Sequence, residues 1–233
     1  QGLATQNYDV FTYDKRVVYL LKNNKDIPEL DFKHGITDAE TIVAYLKNHL
    51  KYKNVIIAGH SQGSLVGMVA AQKNAAAFVS LAGAGNSIDI ILKEQLNKQA
   101  PMLDEKVSEI LSELKKGNTP KDVPMLLKGL FGGKNQKFLM DWMSYNPTQE
   151  IAKLKIPVLI INGNKDIQVE PKEAELLHLA NKKSDLVIID KMNHVFKTIN
   201  ADEENLKSYT DPKLSINTEL LSEMVNFLKK NKL

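Results

Sequence analysis

Ser61 stands in Gly59-His60-Ser61-Gln62-Gly63, directly after the apolar run Val55-Ile56-Ile57-Ala58 and directly before the small, apolar stretch Ser64-Leu65-Val66-Gly67. A β-branched run that stops at Gly-x-Ser-x-Gly and passes at once into a helix-compatible segment predicts a buried strand, a sharp turn and a helix over 62–72. That is the arrangement of a nucleophile elbow. Glycines at 59 and 63 are expected for steric reasons, since side chains there would collide across so tight a bend. The turn lifts the serine Oγ above the strand ends, and the following helix aims the Gln62 peptide N–H at an oxyanion formed there. The chemistry on offer is attack of a serine hydroxyl on an acyl carbon.

A serine needs a base, and the base needs an orienting acid. Two further apolar runs supply candidates. Ile156-Pro157-Val158-Leu159-Ile160-Ile161-Asn162-Gly163 reads as a buried strand with Asp166 in the loop after it, and Asp185-Leu186-Val187-Ile188-Ile189-Asp190 reads as another with His194 in its loop. In an open α/β sheet both residues then sit past the carboxyl ends of strands, on the same edge as Ser61, where such sheets place their sites. The chain order Ser, Asp, His is the one this elbow uses. Asp190 is the competing acid, but it ends its own strand just before His194 and is poorly placed to reach the far side of the imidazole. His34, His49 and His178 have polar neighbours and read as solvated surface residues, while His60, inside the elbow, is expected to pack beside the serine.

The elements that must position these residues are legible around them. Thr37-Asp38-Ala39-Glu40 is a capping-box signature opening a helix with Ile42, Val43, Leu46 and Leu50 at helical spacing. Ala77-Phe78-Val79-Ser80-Leu81-Ala82 reads as a strand ending in Gly83-Ala84-Gly85, and Leu220, Leu221, Met224, Val225 and Leu228 mark one face of a C-terminal helix. Between Asn86 and Glu150 the strand pattern gives way to helical spacing. Ile91, Leu92 and Leu96, then Val107, Ile110, Leu111 and Leu114, then Met125, Leu126 and Leu130 predict three amphipathic helices, followed by a short segment with Phe138, Leu139, Met140, Trp142 and Met143. The expected organisation is a discontinuous core, 1–85 and 151–233, with a helical cap insertion, 86–150, over the catalytic edge. The apolar residues of the insertion are expected chiefly to form its own core, with Met140, Trp142 and Met143 as candidates to line a substrate's acyl pocket.

Tyr13-Asp14-Lys15-Arg16, the elbow at 59–63, Ser80-Leu81-Ala82-Gly83-Ala84-Gly85, Asp166-Ile167-Gln168-Val169 and Met192-Asn193-His194-Val195-Phe196-Lys197 together resemble the α/β-hydrolase superfamily. The match is closest to bacterial esterases and serine-aminopeptidase-like hydrolases, and the matching blocks span nearly the whole chain. The resemblance implies an α/β fold with a doubly wound, mostly parallel sheet and a Ser61–Asp166–His194 triad that transfers an acyl group to water. Where that family usually continues Asp-Lys-Arg-Gly-x-Gly-x-Ser, Arg16 is followed here by Val17-Val18-Tyr19-Leu20. By the same resemblance Gly2 to Gln6 matches the end of a helix and Tyr8 to Tyr13 the fourth strand. The chain is then N-terminally short, without the first three strands or the loop that carries a second oxyanion N–H. In that family's sheet the third strand lies between the fourth and the strand leading to Ser61, and each buried backbone group left unsatisfied costs about 1–3 kcal/mol. Three resolutions stay open: a shortened chain, re-paired strands, or a second copy of the chain filling the space as a homodimer.

Composition narrows the remaining classes. The 233 residues suffice for one α/β domain with an insertion. The net charge of +3 is carried by lysines interspersed with acids, Arg16 being the only arginine, and this pattern argues against nucleic acid as a partner. The absence of cysteine excludes disulfides, thiolate catalysis and Cys-ligated metal. Histidines and acids are not grouped at metal-ligand spacing and no Gly-rich phosphate loop stands out, so neither metal nor cofactor is expected. No run reaches the length of a bilayer span, which leaves a cytoplasmic location, or export after removal of a signal peptide. The expected function is hydrolysis of small-molecule carboxylic esters with small apolar acyl groups. Thioester or aminopeptidase-like amide cleavage shares the mechanism; a weakly active or non-enzymatic ligand-binding or self-associating form is the reading from a different class.

Overall fold

Four apolar runs become the strands β1 (Ile56–His60), β2 (Ala77–Leu81), β3 (Val158–Gly163) and β4 (Asp185–Ile189), which pair in that order and all run parallel. The computed structural model describes residues 2–233. The two central strands, β2 and β3, are buried at every position, whereas β1 and β4 at the margins are only partly so. That pattern is what a parallel sheet covered on both faces requires.

Parallel neighbours need crossover connections, and helices supply them. Before β1 come α1 (Arg16–Lys22) and α2 (Phe32–Asn48); the crossovers are α3 (Gln62–Asn74) between β1 and β2, α4 (Ile88–Gln99), α5 (Asp104–Lys115), α6 (Lys128–Phe131), α7 (Gly133–Met143) and α8 (Pro147–Ala152) between β2 and β3, and α9 (Pro171–Ala180) between β3 and β4; α10 (Asp202–Ser208) and α11 (Thr218–Lys230) follow β4. Side chains alternate across a strand, and the two faces take different helices. Ala77, Val79, Leu81, Leu159, Ile161 and Ile189 share one core with Leu220, Met224, Phe227 and Leu228 of α11. On the opposite face Ser64 of α3 shares a 2.7 Å hydrogen bond with Ser80 of β2, and Gly67 of α3 lies against Ile57 and Phe78. The expectation of a parallel, doubly wound α/β sheet therefore holds.

The chain divides into two units. One comprises residues 1–13, 39–85 and 147–233 and contains the sheet; the other comprises residues 14–38 and 86–146. The second is all-helical, with a core of Val107, Ile110, Leu111, Leu114, Val123, Leu127, Phe131 and Leu139. Met140, Trp142 and Met143 pack partly buried against that core, and the Trp142 ring stacks on Phe32 at 5.3 Å between centroids.

Three local expectations are corrected. The helix assigned to Thr37 onward starts at Phe32, because the His34 imidazole accepts a 2.9 Å hydrogen bond from the Asp31 backbone N–H and so caps the helix earlier. Thr37 lies inside it, its hydroxyl donating to the Lys33 carbonyl, and Leu50 lies beyond its end and is exposed. His34 is accordingly a capping residue rather than a solvated one. The third amphipathic helix is instead a single 3₁₀ turn, Met125–Leu127, followed by the four-residue α6. Met125 and Leu126 are exposed, and Leu127 and Phe131 are the buried pair, because Pro124 and Gly132 leave room for little more than one turn on each side. Residues 8–13 form no strand. A strand exists only against a partner, and among the described residues β1 pairs with β2 alone. Tyr8 instead lies against the α11 core, its hydroxyl donating to the Leu233 carbonyl at 3.1 Å, while Val10, Phe11 and Tyr13 are exposed.

Candidate active site

Because β1, β3 and β4 run parallel, the residues just past their last positions emerge on one edge of the sheet. Ser61 follows β1 directly, Asp166 lies in the loop after β3, and His194 lies in the loop after β4.

Ser61 is held at φ 54°, ψ −123°, a conformation that non-glycine residues rarely adopt and that costs on the order of 1–3 kcal/mol. Two hydrogen bonds enforce it. The Ser61 N–H donates to the Leu81 carbonyl at 2.9 Å, extending the β1–β2 ladder, and the Ser61 carbonyl accepts from the Ser64 N–H at 2.9 Å, opening α3. The strand cannot turn this sharply without a close backbone approach at Gly59, where a Cβ would stand 2.1 Å from the Gly63 carbonyl oxygen. Gly63 itself differs from expectation, since a Cβ there meets nothing within 4 Å. It is the Gly63 carbonyl, not its Cα, that crowds the bend. Gly59→Ala is thus expected to destabilise the protein by about 3 kcal/mol or more. Gly63→Ala should leave stability unchanged or slightly higher, as an alanine in a helix does. Urea midpoints of the two variants test the contrast, and equal losses would contradict it.

Asp166 and His194 meet in a buried hydrogen bond, Nδ1–H to Oδ2, of 2.8 Å, with the carboxylate side chain fully shielded from solvent. The other carboxylate oxygen accepts from the Gln168 and Val169 N–H groups, both at 2.8 Å, so the acid is oriented by its own loop before it orients the imidazole. A neutral imidazole that donates through Nδ1 keeps Nε2 as its acceptor, on the side away from the acid. Asp190, the competing acid, turns the other way and accepts from Asn164 Nδ2 at 2.7 Å.

His60, next to Ser61 in the chain, touches the loop that carries His194. Its Nε2–H donates to the His194 carbonyl at 2.9 Å, and its ring lies 4.8 Å from the His194 ring and 4.6 Å from Phe196, centroid to centroid. The Ser61 hydroxyl makes no hydrogen bond to the His194 imidazole in this structure; such bonds often tighten only when substrate is bound. Gln62 is the first residue of α3. Met140, Trp142 and Met143 sit in the helical unit described above. Among the described residues no cluster of three or more His, Asp or Glu side chains could hold a metal ion, and no helix is long and apolar enough to cross a membrane.

Several residues at this edge escaped sequence reasoning. His60 was legible as a neighbour of the serine, but not as the tether of the His194 loop. Tyr209 carries a buried hydroxyl that makes no well-formed hydrogen bond among the described residues. Burial first, and the nearby Asp166 charge second, push its pKa to about 12, with Gln168 offsetting part of the rise. A phenol whose pKa is raised on folding contributes stability that is present below its ordinary value near 10 and is lost as pH climbs through the folded value. Wild-type protein should therefore lose stability more steeply between pH 10 and 12 than Tyr209→Phe does. Parallel urea-midpoint curves over that range would rule out the assignment. At neutral pH the variant should be about as stable as wild type, because the hydroxyl it removes makes no well-formed hydrogen bond.

No protein-family model matches the chain. It is 28% identical over 202 residues to esterase EstD of Thermotoga maritima, a match covering 83% of this chain and 47% of that protein. The chain thus spans about half the length of the curated relative it matches. Among solved structures it is similar to Est1E from Butyrivibrio proteoclasticus (TM-score 0.53, 17% identity, 86% of this chain and 72% of that one). It is also similar to a monoacylglycerol lipase of Paleococcus ferrophilus (TM-score 0.52, 17% identity, 89% of this chain and 78% of that one). At these identities the structural likeness is one of fold.

Proposed function

We propose that this chain, an esterase-like protein with the α/β-hydrolase fold, hydrolyses carboxylic esters through an acyl-enzyme on Ser61. The observation that carries the proposal is the buried Asp166–His194 hydrogen bond, at the sheet edge where a strained serine opens α3. In this reading His194 Nε2 takes the Ser61 proton as Oγ attacks the ester carbonyl carbon. The Gln62 peptide N–H, in the first turn of α3, is assigned as a donor to the resulting oxyanion. Asp166 holds the imidazole in the tautomer that leaves Nε2 as acceptor and stabilises the imidazolium once it forms. The imidazolium then protonates the departing alkoxide, the alcohol leaves, and water attacks the acyl-enzyme with His194 again as base. That second attack releases the carboxylic acid and restores the serine.

The likeness to EstD favours oxygen esters over other acyl donors. The test is a fluorophosphonate, which reacts only with an activated serine. Stoichiometric mass addition at Ser61 and steady hydrolysis of p-nitrophenyl esters of short acids are expected, with slower turnover of acyl-CoA and aminoacyl anilides. No adduct at Ser61 on folded protein would defeat the proposal, and a preference for the thioester or the anilide would reassign the substrate class within the same mechanism.

A further inference from the structure

Nothing in the reaction scheme above uses α10, yet this short helix ties the acid loop to the base loop through side chains that are almost wholly buried. Asn193, which immediately precedes His194, is 0% exposed and spends all its amide hydrogen-bonding capacity. Its Nδ2 donates to Asn205 Oδ1 at 3.0 Å and to Ser208 Oγ at 2.7 Å, both on α10. Its Oδ1 accepts from the Val195 and Lys197 N–H groups at 3.2 and 2.9 Å, closing the loop around His194. From the same helix Asn205 Nδ2 donates at 2.7 Å to the carbonyl of Lys165, the residue before Asp166. Ser208 Oγ completes the circuit by donating to the Asn205 carbonyl at 2.6 Å.

The Lys165 peptide is thereby gripped from both sides, since its N–H donates to the Met192 carbonyl at 3.0 Å. The β3 end also leaves no room to slide, because a Cβ at Gly163 would stand 1.9 Å from that same Met192 oxygen. We propose that Asn193, Asn205 and Ser208 form a clamp that sets the separation and angle of the Asp166 carboxylate and the His194 imidazole. They are positioning residues for the base rather than groups that touch substrate. A buried polar network in which every side-chain amide and hydroxyl has a partner suits this task, because any displacement leaves amides unpaired in a low-dielectric interior. The exposed ion pair between Lys165 and Asp202 joins the same two elements at 2.8 Å, but solvent screening makes it a weak tie.

The inference rests on His194 acting as the base, so its test needs one readout that depends on the reaction and one that does not. Asn205→Ala is expected to lower kcat on a p-nitrophenyl ester about 10- to 100-fold, the cost of a small misplacement of a catalytic group, with KM within about twofold. In the same variant the low-field proton resonance of the His194 Nδ1–H, which reports the Asp166 hydrogen bond without any turnover, should broaden or shift upfield. Ser208→Ala should move both readouts in the same direction by less, and it decides the question if Asn205→Ala fails to fold. Asp202→Asn should move neither. Unchanged kcat and an unchanged resonance, with only a lower melting temperature, would reduce the clamp to a structural brace. A wild-type protein that shows the resonance but takes no phosphonate at Ser61 would instead overturn the esterase proposal and leave the clamp geometry standing.

Discussion

Ser61→Ala is expected to lower kcat for p-nitrophenyl acetate by about 10⁴-fold or more while leaving the fold intact. The size of the loss follows from the non-additivity of groups that act as one device. Without the hydroxyl, the base and its acid have nothing to activate, and only binding and the oxyanion donor remain. The fold should persist because the serine is held by its backbone, through the Leu81 carbonyl and the Ser64 N–H, and not by its side chain. Alanine at φ 54° bears a strain similar to that of serine, so stability should change by less than about 1 kcal/mol. Steady-state rates beside a circular-dichroism melt check both halves. Residual activity within tenfold of wild type on a folded variant would remove the serine from the mechanism.

Asp166→Asn should cost almost as much, about 10³- to 10⁴-fold in kcat, for a different physical reason. The carboxylate has two jobs on two oxygens. One accepts from the Gln168 and Val169 N–H groups and the other from the imidazole. An asparagine can keep its oxygen toward the two peptide N–H groups, which preserves the loop, but it then presents an NH₂ to His194 Nδ1. The imidazole must accept at Nδ1 and carry its proton on Nε2, the tautomer that cannot receive the serine proton. The expected signature is a large loss in kcat with little change in KM, loss of the low-field Nδ1–H resonance, and fluorophosphonate labelling slowed to a similar degree. Wild-type labelling kinetics in this variant would mean that another group orients the imidazole.

These expectations lean on different levels of information. The strand runs around Ile57, Phe78, Ile160 and Val187 are apolar enough to be buried wherever they pack, and the helix compatibility of the small, apolar segment that follows Ser61 is local. Once such strands are parallel, the loops after them must share an edge, so the convergence of residues 61, 166 and 194 on one rim was already written in their order along the chain. Period and order are properties of the polymer itself.

Other decisions waited for contacts between distant segments, because no local pattern encodes them. A strand at residues 8–13 was expected by resemblance alone, and a ladder needs a neighbour, whereas among the described residues β1 pairs only with β2. Asp166 and Asp190 both lie in loops before His194 in the chain, and only the tertiary structure shows that the Asp166 carboxylate accepts from the His194 imidazole while Asp190 accepts from Asn164. Gly59 and Gly63 read alike in the motif, but only the Cα of Gly59 faces the backbone across the bend. Least visible of all was α10, whose Asn205 and Ser208 hold the loops of Lys165 and Asn193. An asparagine in a polar helix looks solvent-facing until the tertiary fold buries it, because burial is a property of its surroundings and not of its type.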